Sequence, residues 1–153
     1  MLTEKEHQEM TLLIRDAATG KEALLDLLKV MQKSRGWVPD DAIGDIARLL
    51  GMTPAEVESI ATFYSLIFRK ETGKHVILIC DSMSCWLTGY DALADHLREK
   101  LGIGLGETTG DGKFTLLPAA CLGVCEEAPA MMIDETLYTR LTPSAIDEIL
   151  ERY

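Results

Sequence analysis

The sequence predicts an α+β fold: an N-terminal helical bundle over residues 1–70, followed by a domain over 71–153 built on a short, mostly buried sheet. Three observations lead there. Apolar residues recur at helical spacing up to Phe68, the period changes at Lys74, and a continuous β-branched run, His75-Val-Ile-Leu-Ile79, follows at once. With 153 residues, 47% of them apolar and 26% charged, the chain can bury a core without disulfide staples and is not disordered.

Each element has a local cause. Thr3 and Glu6 form a capping box, in which the hydroxyl takes the N3 amide and the carboxylate reaches back to the cap amide. The helix they open fades near Ala18-Thr19-Gly20. Leu24, Leu27, Leu28 and Met31, with Lys21 and Glu22 one turn earlier, give a second amphipathic helix ending at Gly36. Pro39, Asp40 and Asp41 start a third, with Ile43, Ile46, Ala47 and Leu50 on one face and Gly51 as its stop. Thr53-Pro54-Ala55-Glu56 is a second capping box, with Pro at the first helical position where its missing N–H costs nothing. Trp37, Phe63 and Tyr64 read as core aromatics of this bundle, with a place on a docking face as the alternative.

Beyond Lys74, His75–Ile79 reads as a strand buried on both faces. A helix follows over about Tyr90 to Leu101, with Leu93, Ala94, Leu97 and Leu101 at helical spacing, and Gly102 ends it. Lys113–Leu117 and Ala130–Ile133 are further strands. Asp134-Glu135 turns into a short strand at Leu137-Tyr138, and Thr142-Pro143 caps a last helix carrying Ile146, Ile149 and Leu150. The order β-α-β-β-β-α implies one parallel crossover followed by a hairpin, a thioredoxin-like layout.

Charge narrows the function. The 25 acidic and 15 basic side chains give a formal charge of −10, so the basic footprint required to grip nucleic acid is absent. There is no polybasic cluster for an anionic membrane and no apolar run long enough to insert into one. The N-terminal Met1-Leu-Thr-Glu-Lys-Glu-His lacks the apolar segment of a signal peptide, which points to a cytoplasmic setting. In that reducing compartment four cysteines suit metal or redox chemistry better than structural disulfides.

The cysteines fall where strands end. Cys80 closes the first strand and Cys85 lies in the loop after it; Cys121 and Cys125 lie in the loop after the second strand. The pattern is C-x4-C, 35 intervening residues, then C-x3-C. If the two strands are parallel neighbours, both loops emerge at one end of the sheet and four thiols converge. A [2Fe–2S] cluster wants two thiolates on each iron, which a pair from each loop supplies. Structural zinc also takes four thiolates but favours two-residue spacing. Disulfide exchange wants C-x-x-C at a helix N-terminus. The cluster fits the spacing best, with zinc, disulfide chemistry and inert cysteines as the alternatives.

Together with this cysteine pattern, Gly36-Trp-Val-Pro39, Ala61-Thr-Phe-Tyr64 and Cys121-Leu-Gly-Val-Cys-Glu-Glu-Ala-Pro-Ala-Met-Met-Ile-Asp134 resemble the 24 kDa subunit family of bacterial respiratory complex I, the NADH:quinone oxidoreductase. The resemblance runs from about residue 20 to Tyr153. It implies a helical N-terminal region followed by a thioredoxin-like [2Fe–2S] ferredoxin domain, with Cys80 and Cys85 on one iron and Cys121 and Cys125 on the other. It also implies a partner flavoprotein that binds FMN and NADH, whose flavin exchanges single electrons with the cluster. The resemblance further implies that the chain is peripheral to the inner membrane as part of the complex, and that the hydride chemistry belongs to the partner. Similar subunits serve NAD-linked formate dehydrogenases and NAD-reducing or bifurcating hydrogenases; a free ferredoxin or a zinc-stabilised adaptor is a further alternative.

The remaining features read as structural. Gly102-Ile-Gly-Leu-Gly106 follows a helix and is a connection, not a nucleotide loop. His7 and His96 pair with no nucleophile, Met131-Met132 is strand packing, and Lys33 to Arg35 is a basic helix end that suits the dipole. Asp81, Glu126 and Glu127 flank the cysteines and oppose uptake of an electron, while Gly123 lets backbone amides approach sulfur. The balance predicts a low reduction potential.

Overall fold

The computed structural model describes residues 2–153; Met1, with which the predicted bundle begins, lies outside them. Among the described residues the chain divides into two compact units, one ending at Glu71 and the other spanning Thr72–Tyr153.

The first unit holds four α-helices: α1 (Glu4–Asp16), α2 (Leu24–Arg35), α3 (Asp40–Leu50) and α4 (Pro54–Phe63). Both capping boxes form. Thr3 Oγ1 accepts from the Glu6 amide at 3.3 Å while Glu6 Oε2 accepts from the Thr3 amide at 2.8 Å, and Thr53 and Glu56 repeat the pair at 3.3 and 2.8 Å. A 3-10 turn at Gly20–Ala23, which hydrophobic periodicity does not distinguish from the start of α2, leads into that helix. The buried stripe is the one periodicity marks: Leu24, Leu27, Leu28 and Met31 on α2, Ala42, Ile43, Ile46 and Ala47 on α3, with Met10, Val57 and Ala61 closing the core. Each fully buried Leu or Ile contributes about 1.5–3 kcal/mol.

Phe63 and Tyr64 correct the expectation of core aromatics: they are 78% and 42% exposed and stack edge-to-face with centroids 5.3 Å apart. The helical period explains it. Val57 and Ala61, four residues apart, take the inward face of α4, and Phe63 lies about 200° around the helix from Ala61. Trp37 is partly buried beside fully buried Val38.

Polar clamps tie the segment after α4 back to the bundle. The Gln32 side-chain amide donates to the Leu66 carbonyl at 2.8 Å and its oxygen accepts from the Phe68 amide at 2.6 Å. Arg69 reaches Asp40 and Glu58 at 2.7 and 2.8 Å and the Val38 carbonyl. On the other side, buried Glu6 accepts from Ser34 Oγ at 2.7 Å and from both forks of Arg35 at 3.0 and 2.9 Å.

The second unit is a five-stranded mixed sheet in the order β2-β3-β1-β4-β5. Its strands are β1 (His75–Cys80), β2 (Glu107–Thr108), β3 (Phe114–Ala119), β4 (Met131–Ile133) and β5 (Thr136–Tyr138); its helices are α5 (Met83–Leu87), α6 (Tyr90–Leu101) and α7 (Pro143–Leu150). β1 and β3 are parallel neighbours joined through α6, with His75 opposite Phe114 and Cys80 opposite Ala119. β4 pairs antiparallel with β1 on its other side, and β5 returns as the hairpin. The core packs α6 and α7 against Ile77, Ile79, Leu116, Met131 and Ile133. The Gly102–Gly106 segment is a connection, as expected: Gly102 ends α6 in the left-handed region at φ 67° and the Gly106 amide donates to the Leu116 carbonyl at 2.7 Å.

Two elements differ from the sequence reading. The edge strand β2 is two residues long and too short to carry a period-2 signal; backbone pairing to β3 alone defines it. Helix α5, five residues long, turns what reads as an open loop around Cys85 into a short helix.

The Glu6 cluster has a pH signature. The Arg35 guanidinium, with the Thr3 amide and the Ser34 hydroxyl, outweighs burial and pulls the Glu6 carboxyl from 4.5 down to about 2. A depressed folded pKa adds stability above the unfolded value, and that stability is lost as pH falls through the folded one. The contribution is about 3 kcal/mol at neutral pH. Urea midpoints of wild type and Glu6→Gln should therefore converge as pH drops from 4.5 toward about 2; parallel curves would remove the ion pair from the account.

Candidate metal centre

The site is built at the end of β1. Cys80 is its last residue and is held from both neighbouring strands: the Cys80 amide donates to the Ala130 carbonyl at 3.0 Å and the Asp81 amide to the Ala119 carbonyl at 2.8 Å. Ser82 then begins α5 from the N-cap position. Its hydroxyl makes no capping bond; it lies 3.4 Å from Cys80 Sγ. The short helix turns Cys85 inward, and Cys80 and Cys85 are 3% and 2% exposed, packed with Ala130, Tyr90, Leu122, Val124 and Ala128.

The second loop arrives from β3. Cys121 and Cys125 are exposed, with their sulfurs 3.7 Å apart. Gly123 stands between them at φ 81°, a backbone that costs glycine little, and its amide donates to Cys121 Sγ at 3.3 Å. The Leu122 amide is directed at Cys80 and the Ala130 amide at Cys85. The loops therefore meet through side-chain packing and through an N–H from one loop aimed at a sulfur of the other.

Burial, the largest effect on either buried thiol, raises both. In Cys80 the Ser82 hydroxyl, the Leu122 and Ser82 amides and the Cys85 thiol together outweigh it and hold the group below its ordinary range. Cys85 goes up, because burial is reinforced by the Cys80 sulfur beside it. The Tyr90 phenol that packs on this pair is raised by burial first and then by Asp81.

Four sulfurs in two pairs, with the amides of Ser82, Leu122, Gly123 and Ala130 and the Ser82 hydroxyl aimed at them, make a donor set that suits a two-iron cluster. Each iron takes two thiolates, and N–H donors offset the negative charge on sulfur. Among the described residues no three His, Cys, Asp or Glu side chains are grouped as one ion would need. Of the flanking acids, Glu127 is tied down: Thr139 Oγ1 donates to it at 2.8 Å and Arg140 pairs with it at 3.2 Å. Asp81 and Glu126 are exposed. No Lys or Arg occurs between Lys74 and Arg98, nor between Lys113 and Arg140, so neither cysteine segment carries a basic side chain to offset its acids. His96 bonds Asp147 at 3.0 Å.

Sequence reasoning placed the cysteines at strand ends and Gly123 beside sulfur. It missed Ser82, Tyr90 and the amides of Leu122 and Ala130. A serine just ahead of a short helix is a capping signal that could have drawn attention to Ser82; Tyr90 lies five residues after Cys85 but carries no local signal, and the Leu122 and Ala130 amides come from segments 42 and 45 residues from the sulfurs they face.

Fold and site thus define an iron–sulfur protein on a thioredoxin-like sheet. The family model described as thioredoxin-like [2Fe–2S] ferredoxin matches residues 10–153, and the chain belongs to that family. Over 133 residues it is 53% identical to the E subunit of NADH-quinone oxidoreductase from Escherichia coli K12 and 48% identical to its counterpart in Pseudomonas aeruginosa, covering 87% of this chain and 80% of each relative. Among solved structures, NAD+-reducing [NiFe]-hydrogenase contains a chain that superposes with a TM-score of 0.73 at 26% identity, over 85% of this chain and 22% of that longer one.

The two pairs differ in access. In cluster-free protein, alkylation followed by peptide mapping should label Cys121 and Cys125 first and Cys85 last. Equal rates at all four positions would contradict the buried geometry of α5.

Proposed function

We propose that this chain is the electron-transfer subunit of a respiratory NADH:quinone oxidoreductase, with Cys80 and Cys85 holding one iron of a [2Fe–2S] cluster and Cys121 and Cys125 the other. The observation that carries the ligand assignment is the pairing of sulfurs from two loops at one end of the sheet, with amides already aimed at them. The 48–53% identity to the NADH-quinone oxidoreductase relatives favours that complex over the hydrogenase, matched at 26%. When bound, the cluster supplies single-electron transfer.

The chain's own residues do the rest. Ala130, Ala119 and α5 fix the two buried thiolates; Leu122, Val124 and Tyr90 keep water from them. Gly123 and Ser82 give hydrogen bonds to sulfur that favour the more negative state, while Asp81 and Glu126 oppose it. The chain holds no catalytic site of its own: FMN and NADH sit in a partner flavoprotein, where hydride chemistry takes place. Among the described residues no helix is long and apolar enough to cross a membrane. We place the chain in the cytoplasm, peripheral to the inner membrane through the complex.

Anaerobically purified protein should contain about two irons and two acid-labile sulfides per chain and give a spin-half EPR signal after dithionite. NADH should produce that signal only when the FMN-binding subunit is present. Zinc without sulfide would overturn the proposal. Cys→Ser at each of the four positions should abolish or strongly alter the signal, and a variant with an unchanged spectrum would remove that residue from the ligand set.

The hydrogen bonds to sulfur predict a sign. Ser82→Ala and Gly123→Ala each remove or displace a donor, so an EPR redox titration should find the midpoint potential lower in both. An increase in either would contradict the assigned role of that donor.

A further inference from the structure

The two cysteine loops are mounted differently. Cys80 and Cys85 stand on β1 and α5, whereas exposed Cys125 opens a three-residue 3-10 turn, Cys125–Glu127, outside the sheet. A turn of that length has few bonds of its own: the Glu127 amide donates to the Val124 carbonyl at 2.9 Å and the Ala128 amide to the Cys125 carbonyl at 3.4 Å. What fixes it comes from the segment between β5 and α7. Thr139 Oγ1 donates to Glu127 Oε2 at 2.8 Å, and the Arg140 guanidinium donates to Glu127 Oε1 at 3.2 Å. The Arg140 amide donates to the Glu127 carbonyl at 2.8 Å, and the Leu141 amide to the Pro129 carbonyl at 3.1 Å. Three consecutive residues thus grip the turn and the chain leaving it, and Glu127 receives them through both its side chain and its backbone.

Arg140 bears the mark of this grip. Its φ is 51°, a left-handed backbone that a residue with a Cβ seldom adopts, and in that conformation its amide and its side chain both reach Glu127. Leu141 beside it is 5% exposed and belongs to the core of this unit, so the grip is anchored in packed interior. The Arg140 side chain itself is 74% exposed, where an ion pair alone contributes little. Resting on the ligand assignment proposed above, we propose that Glu127 is a positioning residue for the cluster: held by Thr139 and Arg140, it seats the turn that presents Cys125 and keeps that sulfur beside Cys121, 3.7 Å away. The competing role is electrostatic, a carboxylate that opposes the electron through its charge alone. The two roles differ in what an uncharged substitution does.

The test uses the full chain loaded with its cluster and reads the rate of iron release to bathophenanthroline after anaerobic dithionite reduction, together with the EPR spectrum. Thr139→Val removes a hydrogen bond without changing charge; it should release iron at least about threefold faster and broaden the signal. Glu127→Ala should release iron at least about tenfold faster. Glu127→Gln, whose amide oxygen still accepts from Thr139, should fall between Glu127→Ala and wild type. A Thr139→Val variant that behaves as wild type, or Gln and Ala variants that behave alike, would overturn the positioning role. Urea midpoints of the cluster-free variants should match wild type; a loss of stability in step with iron release would reassign Glu127 to the fold. Wild-type protein gives a check that needs no variant: the Arg140 and Leu141 amides should be protected from hydrogen exchange in the loaded chain, and rapid exchange of both would overturn the grip. These failures leave the proposed function standing, whereas a wild-type chain that takes up no cluster would overturn both.

Discussion

The parallel pairing of β1 with β3 is the constraint on which the site depends. A six-residue strand is about 20 Å long, so an antiparallel partner would deliver its loop to the opposite end of the sheet. With Cys80 opposite Ala119, the chain leaving β3 needs two residues to reach Cys121 at the same end. The crossover helix α6 makes that pairing possible, since parallel strands require a long connection. Helix α5 begins the same crossover and carries Cys85. β4 completes the site from the other side by placing Ala130 against both buried sulfurs. A central strand held from both edges is a stiff mount, and the cysteine at its tip inherits that stiffness.

Burial and charge divide the site unevenly. One pair of thiols is packed among Ala130, Leu122, Val124 and Tyr90, and the other lies in an exposed turn. Desolvation disfavours negative charge on the first pair, and directed amides and the Ser82 hydroxyl compensate locally. The carboxylates add a longer-range field of the same sign as the electron, though weaker than three bare acids would give, because Arg140 engages Glu127. Thiol placement, electrostatics and surface exposure are therefore set by one short helix and two loops.

The helical unit is held by dual-purpose polar residues. Glu6 is the capping carboxylate of α1 and also receives Arg35 and Ser34 from the end of α2, so one buried group starts one helix and ties it to another. Gln32 and Arg69 do the same for the segment following α4, with bonds to Leu66, Phe68, Val38, Asp40 and Glu58. The buried Glu6 carboxylate is tolerated because it is multiply bonded. The inward face of α4 is filled by Val57 and Ala61, and this leaves Phe63 and Tyr64 pointing outward.

Local rules in the sequence were enough for the helices, both capping boxes, the buried strand β1, the β4–β5 hairpin and the position of the cysteines at strand ends. These follow from periodicity, caps and turn residues, which act over a few positions. Periodicity could not show β2 or α5, each too short to repeat, nor that Phe63 and Tyr64 turn outward once smaller residues fill the core. Leu122 and Ala130 became visible only with the sheet assembled, because what joins them to the sulfurs is hydrogen bonding and packing between segments up to 50 residues apart, as Cys80 and Ala130 are. The sequence by itself determined which thiols were available and in what pairs. Tertiary structure decided which pair is buried, which donors face the sulfurs and which apolar side chains stay outside, since burial is a property of the packed chain and not of any stretch of it.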